Sequence, residues 1–168
     1  VRYVRPPCVK INFQKGADFM KPTITVCDDI TLITLQNIPA DINFVTEVFE
    51  KIASMDIDVD MISLSPVQSS LTSLSFTVKD EELVKILGYT STLNNGTIKP
   101  IVSSGNCKIS INDAGMENCP GVAAKIFRRA ADVNTDIRLI TTSEAQISLL
   151  VTKSDFDSTF SAVQDALD

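Results

Sequence analysis

Between Asp113 and Val122 the chain reads Asp113-Ala114-Gly115-Met116-Glu117-Asn118-Cys119-Pro120-Gly121-Val122. These residue types suit holding a small zwitterion better than making or breaking bonds. Pro120 fits the first turn of a helix, where its missing N–H costs nothing. Val122, Ile126, Phe127 and Ala130 then recur at near-helical spacing. The start of a helix exposes four unpaired N–H groups and a partial positive charge, which suits a carboxylate. Gly115 and Gly121 allow a ligand close to the backbone. Asp136 or Glu117 is available to face an ammonium group. The same spacing is also met by a Pro-Gly pair that only starts a helix, with the acids in solvent.

Much other chemistry is excluded by what the chain lacks, which leaves only carboxylate- or lysine-based catalysis open. It has no histidine, which removes Ser-His-Asp triads, Cys-His nucleophiles and most zinc sites. No catalytic residue, metal site or cofactor is expected. The four cysteines, Cys8, Cys27, Cys107 and Cys119, form no CxxC pair and read as reduced thiols. There are 15 Lys and Arg against 21 Asp and Glu, a net charge of −6. The densest basic group, Lys125, Arg128 and Arg129, falls within one expected helix, so the clustered cations that neutralise nucleic-acid phosphates are missing. No apolar run approaches the ~20 residues that span a bilayer. Val1–Pro7 lacks the apolar stretch of a secretory leader. The expectation is a cytoplasmic protein without nucleic-acid or membrane partners.

The elements that would position this loop occur twice. An offset of 78 residues aligns 30–65 with 108–143 without a gap, matching Ile33 to Ile111, Phe49 to Phe127, Asp58 to Asp136 and Ile62 to Ile140. In each copy a β-rich run (from Ile30; from Lys108) leads to a polar turn and an amphipathic helix. Phe44, Val48, Phe49 and Ile52 mark the helix of the first copy. Strands are expected at Ile57–Leu64 and Thr135–Thr142, then at Thr72–Val78 and Ala145–Val151, where apolar residues alternate. Short helices follow around Leu83, Ile86 and Leu87, and around Phe156, Phe160, Val163 and Leu167.

The order β-α-β-β-α needs one more strand to complete a split βαβ, ferredoxin-like unit. The first copy has a candidate in Gly96–Val102. The second reaches Asp168 without one, so its missing strand is expected from Thr23–Cys27, with Asp28-Asp29 as the turn into the first copy. The fold class expected is α+β, two βαββαβ units with the first inserted into the second. Cys8–Phe13 is a candidate extra strand.

Gly115–Phe127, followed by Ile140-Thr141-Thr142-Ser143-Glu144-Ala145-Gln146-Ile147-Ser148, resembles the C-terminal ACT domain of aspartokinases, with its GM-x-x-x-PGVAAK-F loop-helix and I-S-T-SE-x-x-IS hairpin. The resemblance covers about residues 22–168 and is most specific over 105–151. It implies a tandem ACT pair: residues 1–21 an N-terminal extension, 30–103 the first ACT domain, 22–29 plus 104–168 the second. It further implies an allosteric module that binds a small amino acid of the lysine or threonine class for feedback control of aspartate-family biosynthesis. The implied partners are a second copy, paired through the ACT domains, and an amino-acid kinase domain. If the chain is a fragment, its parent would be an aspartate kinase. The alternative is a free-standing ACT-domain sensor or interaction protein not attached to a kinase.

By that resemblance the effector residues are Asp113, Ala114, Gly115, Met116, Glu117, Asn118, Pro120, Gly121 and Val122, with Asp136 and Ile137 on the next strand. The first copy departs from the pattern. Its loop, Ile38-Pro39-Ala40-Asp41-Ile42-Asn43-Phe44, has no Pro-Gly pair, and Leu64-Ser65 replaces the Gln-Asn that ends the family's second strand. Asp41, Asn43 and Asp58 are its weaker candidates.

Overall fold

The computed structural model describes residues 9–12, 22–94, 96–116 and 119–167. Its strands are β1 (Val9–Asn12), β2 (Thr23–Pro39), β3 (Ile62–Leu64), β4 (Leu71–Lys79), β5 (Lys99–Asn112), β6 (Ile137–Thr142) and β7 (Gln146–Thr152). Its helices are α1 (Ile42–Ser54), α2 (Leu83–Leu93), α3 (Val122–Asp132) and α4 (Phe156–Leu167). The chain divides into two compact units: Asp29–Gly105, and Asn106–Asp168 with the stretch that ends at Asp28.

Within Asp29–Gly105 the strand order is β3-β4-β2-β5, that of a βαββαβ unit whose first strand is central. The register pairs Ile33 with Phe76 and Leu35 with Leu74. These four side chains are wholly buried, together with Val48 and Ile52 of α1 and Ile86 of α2. Phe49 meets the edge of the Phe76 ring at a centroid distance of 5.6 Å, an arrangement the ring quadrupoles favour. The Asp80 carboxylate accepts hydrogen bonds from the Thr31 hydroxyl and from the Gly105 N–H, the latter 3.0 Å from Oδ2. It thereby ties the point where the chain enters this unit to the point where it leaves.

The other unit repeats the order as β6-β7-β5-β2, with β1 pairing antiparallel to the start of β2. Cys107, Ile109 and Ile111 of β5 lie opposite Val151, Leu149 and Ile147 of β7. All six are buried, with Ile126 of α3 and Val163 of α4 in the same core. Ile24, wholly buried, belongs to this core and not to that of the neighbouring sequence. Alternate residues of β2 turn inward for the same period-two reason as in any half-buried strand.

Four expectations need adjusting. Asp28-Asp29 is not a turn: β2 runs through it as one strand of 17 residues, and Asp29 alone takes a left-handed φ of 56°. Aspartate tolerates that region as a single residue, so the strand bends there without reversing. The expected strand at Gly96–Val102 begins at Lys99 and continues into the first strand of the second copy, making β5. Its left-handed residue is Gly105, φ 69°. The strand at Ile57–Leu64 contracts to Ile62–Leu64. Asp56 is left-handed, φ 58°, and three aspartates within 56–60 disfavour a regular ladder. Met61 instead donates its N–H to Thr77 Oγ1 at 2.9 Å. Of the stretch Cys8–Phe13, Val9–Asn12 forms β1, and the flanking Cys8 and Phe13 lie outside the described residues.

Candidate functional site

β5 ends at Asn112, whose Oδ1 accepts a hydrogen bond from Gln146 Nε2 at 2.9 Å. The next residue, Asp113, donates its backbone N–H to the Ala145 carbonyl at 2.9 Å. These bonds fasten the start of the loop to the β6–β7 hairpin. Asp113 then folds the loop on itself: Oδ1 accepts from the Gly115 N–H at 2.8 Å and its carbonyl from the Met116 N–H at 3.1 Å. A short 3-10 turn results over Ala114–Met116. Such side chain-to-backbone bonds are the local habit of aspartate in turns. A Cβ at position 115 would stand 3.1 Å from Asp113 Oδ1, so glycine is what this turn requires. Met116 is buried against the core that holds Ile126 and anchors the turn.

Beyond the turn, Glu117 and Asn118 lie outside the described residues. The chain re-emerges at Cys119, whose N–H donates to the Met116 carbonyl at 3.0 Å. Cys119 and Pro120 are exposed. Gly121, the residue before α3, has φ 98° and ψ −10°, and no side chain caps the helix. Pro120 therefore precedes the N-cap instead of occupying the first helical turn. Among the described residues nothing lies within 4 Å of where a Cβ at Gly121 would stand. The amides of Val122 and the residues after it form an uncapped helix start of positive partial charge.

Asp136 and Ile137 are not at this loop. They begin β6, with Ile137 opposite Val151, whereas the loop follows Asn112, opposite Gln146 at the far end of β7. Five residues of strand separate the two levels, ~17 Å at the usual rise. The Asp136 carboxylate faces Arg138, 2.7 Å away, and its N–H donates to Asp155 Oδ2 at 2.8 Å. That N–H is the main reason the Asp155 carboxyl is held below the ordinary carboxylate range, with help from the Thr152 and Ser154 hydroxyls and Arg138. Asp136 and Asp155 together pin the start of β6 to the start of α4. Sequence reading missed this pin and the Asp80 tie. Asp155 could have been found, because it directly precedes an amphipathic helix.

In Asp29–Gly105 the candidates also separate. Asp41 and Asn43 stand together at the start of α1, where Asp41 Oδ1 accepts from the Asn43 N–H and from Asn43 Nδ2, both at 2.9 Å. Asp58 follows the other end of that helix, near the level where Asp60 donates to the Thr77 carbonyl. It cannot join them. Among the described residues no cluster of acids and cysteines could hold a metal ion.

Residues 109–167, which contain this loop, match the family model described as ACT domain. The aspartokinase of Geobacillus stearothermophilus is 32% identical over 124 residues, covering 74% of this chain and 30% of that protein. The regulatory subunit of aspartate kinase from Thermus thermophilus, solved in a ligand-free form, superposes with a TM-score of 0.78 at 27% identity, over 86% of this chain and 97% of that one. Aspartate kinase from Synechocystis gives a TM-score of 0.79 at 29% identity, over 84% of this chain and 26% of that one. The chain has the ACT-domain fold of aspartokinase regulatory regions. It spans about a third of the length of the curated aspartokinases it matches, 30% and 35% for two of them. Two solved chains of about the same extent are regulatory subunits of aspartate kinase. No described helix is long and apolar enough to cross a membrane.

Proposed function

We propose that this chain is the allosteric regulatory module of an aspartate kinase, and that a small amino acid binds at the β5–α3 loop. The observation that carries the reading is the start of α3 at a left-handed Gly121, without a side-chain cap among the described residues, beside a loop held in shape by Asp113 and Gly115. The effector's carboxylate meets the amides that begin at Val122. Its ammonium faces Asp113, whose Oδ2 is turned away from the Gly115 bond, with Glu117 as a second acid. Ala114, Met116, Asn118, Pro120 and Gly121 complete the proposed set of effector residues. Asp136 and Ile137 are left out, since the sheet register holds them at its opposite end. The two units serve as the two ACT domains, 30–103 and 22–29 plus 104–168 in the sequence's own terms.

The effector belongs to the lysine or threonine class, and its role is feedback control of aspartate-family biosynthesis in the cytoplasm. An effector acts on a kinase partner only if it prefers one of two arrangements of the module. A second copy joins through the sheet edge at β3. Ile62 and Leu64 are 50% and 52% exposed there, and among the described residues β3 pairs with β4 alone.

The test is thermal unfolding with lysine, threonine and methionine. A ligand at 100 times its Kd adds about 2.7 kcal/mol of stability, which raises Tm by ~5–10 °C in a chain of this size. One amino acid should give that shift. It should be lost in Asp113→Ala and kept in Asp136→Ala. No shift with any of the three, or loss in Asp136→Ala alone, would refute the placement.

A further inference from the structure

We propose that the outer face of α2 is a contact between two copies of this chain, in which α2 packs antiparallel against its twin about a two-fold axis between Leu87 and Gly88. The contact goes beyond the effector reading and does not depend on it.

α2 is unlike the other helices. Leu83, Ile86 and Leu93 pack into the core of their own unit, with Thr90 buried beside them. The opposite side carries Val84 at 82% exposure and Leu87 at 43%, with exposed Gly88 and Ser91 continuing the stripe. These four fall at the spacing that puts residues on one helix face. On their outer faces α1, α3 and α4 expose charge instead: Glu47 and Glu50, Arg128 and Arg129, Asp157 and Asp165. A helix that is apolar all round belongs in an interior. Glycine inside a helix also costs stability relative to alanine. Among the described residues nothing lies within 4 Å of where a Cβ at Gly88 would stand, so no neighbour in the chain requires it. A facing helix does, because glycine lets a large side chain reach the backbone.

The order of sizes along the stripe names the occupant. Val84 and Leu87 are large, Gly88 and Ser91 small. Reversed about the axis, Val84 meets the partner's Ser91 and Leu87 meets the partner's Gly88. Each large residue faces a small one, the self-complementarity that a two-fold contact needs. The Ser91 hydroxyl donates to the Gly88 carbonyl at 2.8 Å, so burying it strands no donor. The one charged side chain of α2, Lys85, is off the stripe and paired with Glu82 at 2.7 Å. Antiparallel helix dipoles also attract. Two helices of 11 residues cover less than the ~800 Å² per partner of a standing interface. The contact is therefore weak alone and adds to the pairing at β3, joining dimers into tetramers as concentration rises.

The experiment is sedimentation equilibrium over a range of concentrations, with Tm measured on the same samples. The wild type should pass from dimer to tetramer. Gly88→Leu should weaken that step about tenfold, because leucine would face the partner's Leu87. Its Tm should rise, since leucine is the better helix former. Adding Leu87→Ala to Gly88→Leu reverses large and small and should bring association back to within about threefold of wild type. Ile62→Lys tests the β3 edge separately and should leave a monomer–dimer equilibrium that Gly88→Leu abolishes. Association in Gly88→Leu as tight as in the wild type would overturn the proposal, as would no rescue in the double variant. So would a wild-type chain and an Ile62→Lys chain that both fail to associate at every concentration. Loss in Gly88→Leu of binding to an aspartate kinase catalytic domain, with self-association unchanged, would assign the face to that partner and overturn the proposal too.

Discussion

Ile24→Ala separates the two cores by a residue that is near one in sequence and inside the other in space. Ile24 is fully buried with Cys107, Ile109, Ile111, Ile126 and Val163, all at least 80 positions away along the chain. Truncating a buried isoleucine to alanine costs ~2–5 kcal/mol, since the site loses both transfer energy and packing contacts. A loss of about 3 kcal/mol raises the equilibrium constant for opening roughly a hundredfold. Native-state hydrogen exchange resolves such openings by region. The amides of Cys107–Ile111 and of Ile147–Val151 should lose about two orders of magnitude of protection. Those of Ile33–Leu35 and Leu74–Phe76 should change by much less, because their core contains no atom of Ile24. Ile33→Ala should give the reverse pattern. Unchanged protection at Cys107–Ile111 in Ile24→Ala would refute the assignment of this strand. Equal losses in both sets would refute the independence of the cores.

Three further perturbations test particular contacts. Asp80→Ala leaves the Thr31 hydroxyl and the Gly105 N–H without their shared acceptor, and should lower stability by ~1–3 kcal/mol in urea unfolding, whereas substitution at exposed Glu81 should not. Gly115→Ala places a Cβ 3.1 Å from Asp113 Oδ1. It should weaken effector binding in calorimetry far more than it changes Tm, because the loop and not the core is disturbed. Asp155 has its folded pKa depressed, chiefly by the Asp136 N–H. Its contribution is thus present above the unfolded carboxylate pKa of about 3.9 and is lost as pH falls through the lower folded value. Urea midpoints measured from pH 6 to pH 2 should show Asp155→Asn below wild type at pH 6, with the two curves converging in acid. A gap that persists at pH 2 would show that the carboxylate charge is not what matters.

The sequence carries the repeating part of this fold in its apolar periodicity. Val122, Ile126, Phe127 and Ala130 lie along one face of α3, and Ile126 and Ala130 are its buried residues. The same pattern let Thr23–Cys27 be recognised as a strand wanting a partner. Periodicity does not report a single left-handed residue inside a strand. Two adjacent aspartates therefore read as a turn, although Asp29 only bends β2. It is also blind to which end of a sheet a residue occupies. The level of Asp136 could have been read from the order of elements: in a parallel β-α-β crossover the helix carries the chain back, so the second strand starts at the end of the sheet opposite the loop that ends the first. That argument needs only the order of elements, not their coordinates. The Asp113–Gly115 bond was beyond sequence reading, because an aspartate two residues before a glycine is common in loops that fold otherwise.

The two halves also show how one fold accommodates two different helix starts. Burial requires an apolar residue at every third or fourth helix position and every second strand position, and both copies keep that. Nothing in the core constrains where the helix begins. In one copy a Pro-Gly pair delays the start until Val122, with no side-chain cap from Gly121. In the other an aspartate and an asparagine start it two residues sooner and satisfy it internally. An N-cap is worth about 1 kcal/mol, so the first copy gains that stability from its own Asp41 side chain. At α3 the N-cap residue, Gly121, has no side chain to make that contribution. A loop left less stable than its twin is the one whose occupancy can shift an equilibrium, since a ligand that completes the cap has free energy left to contribute.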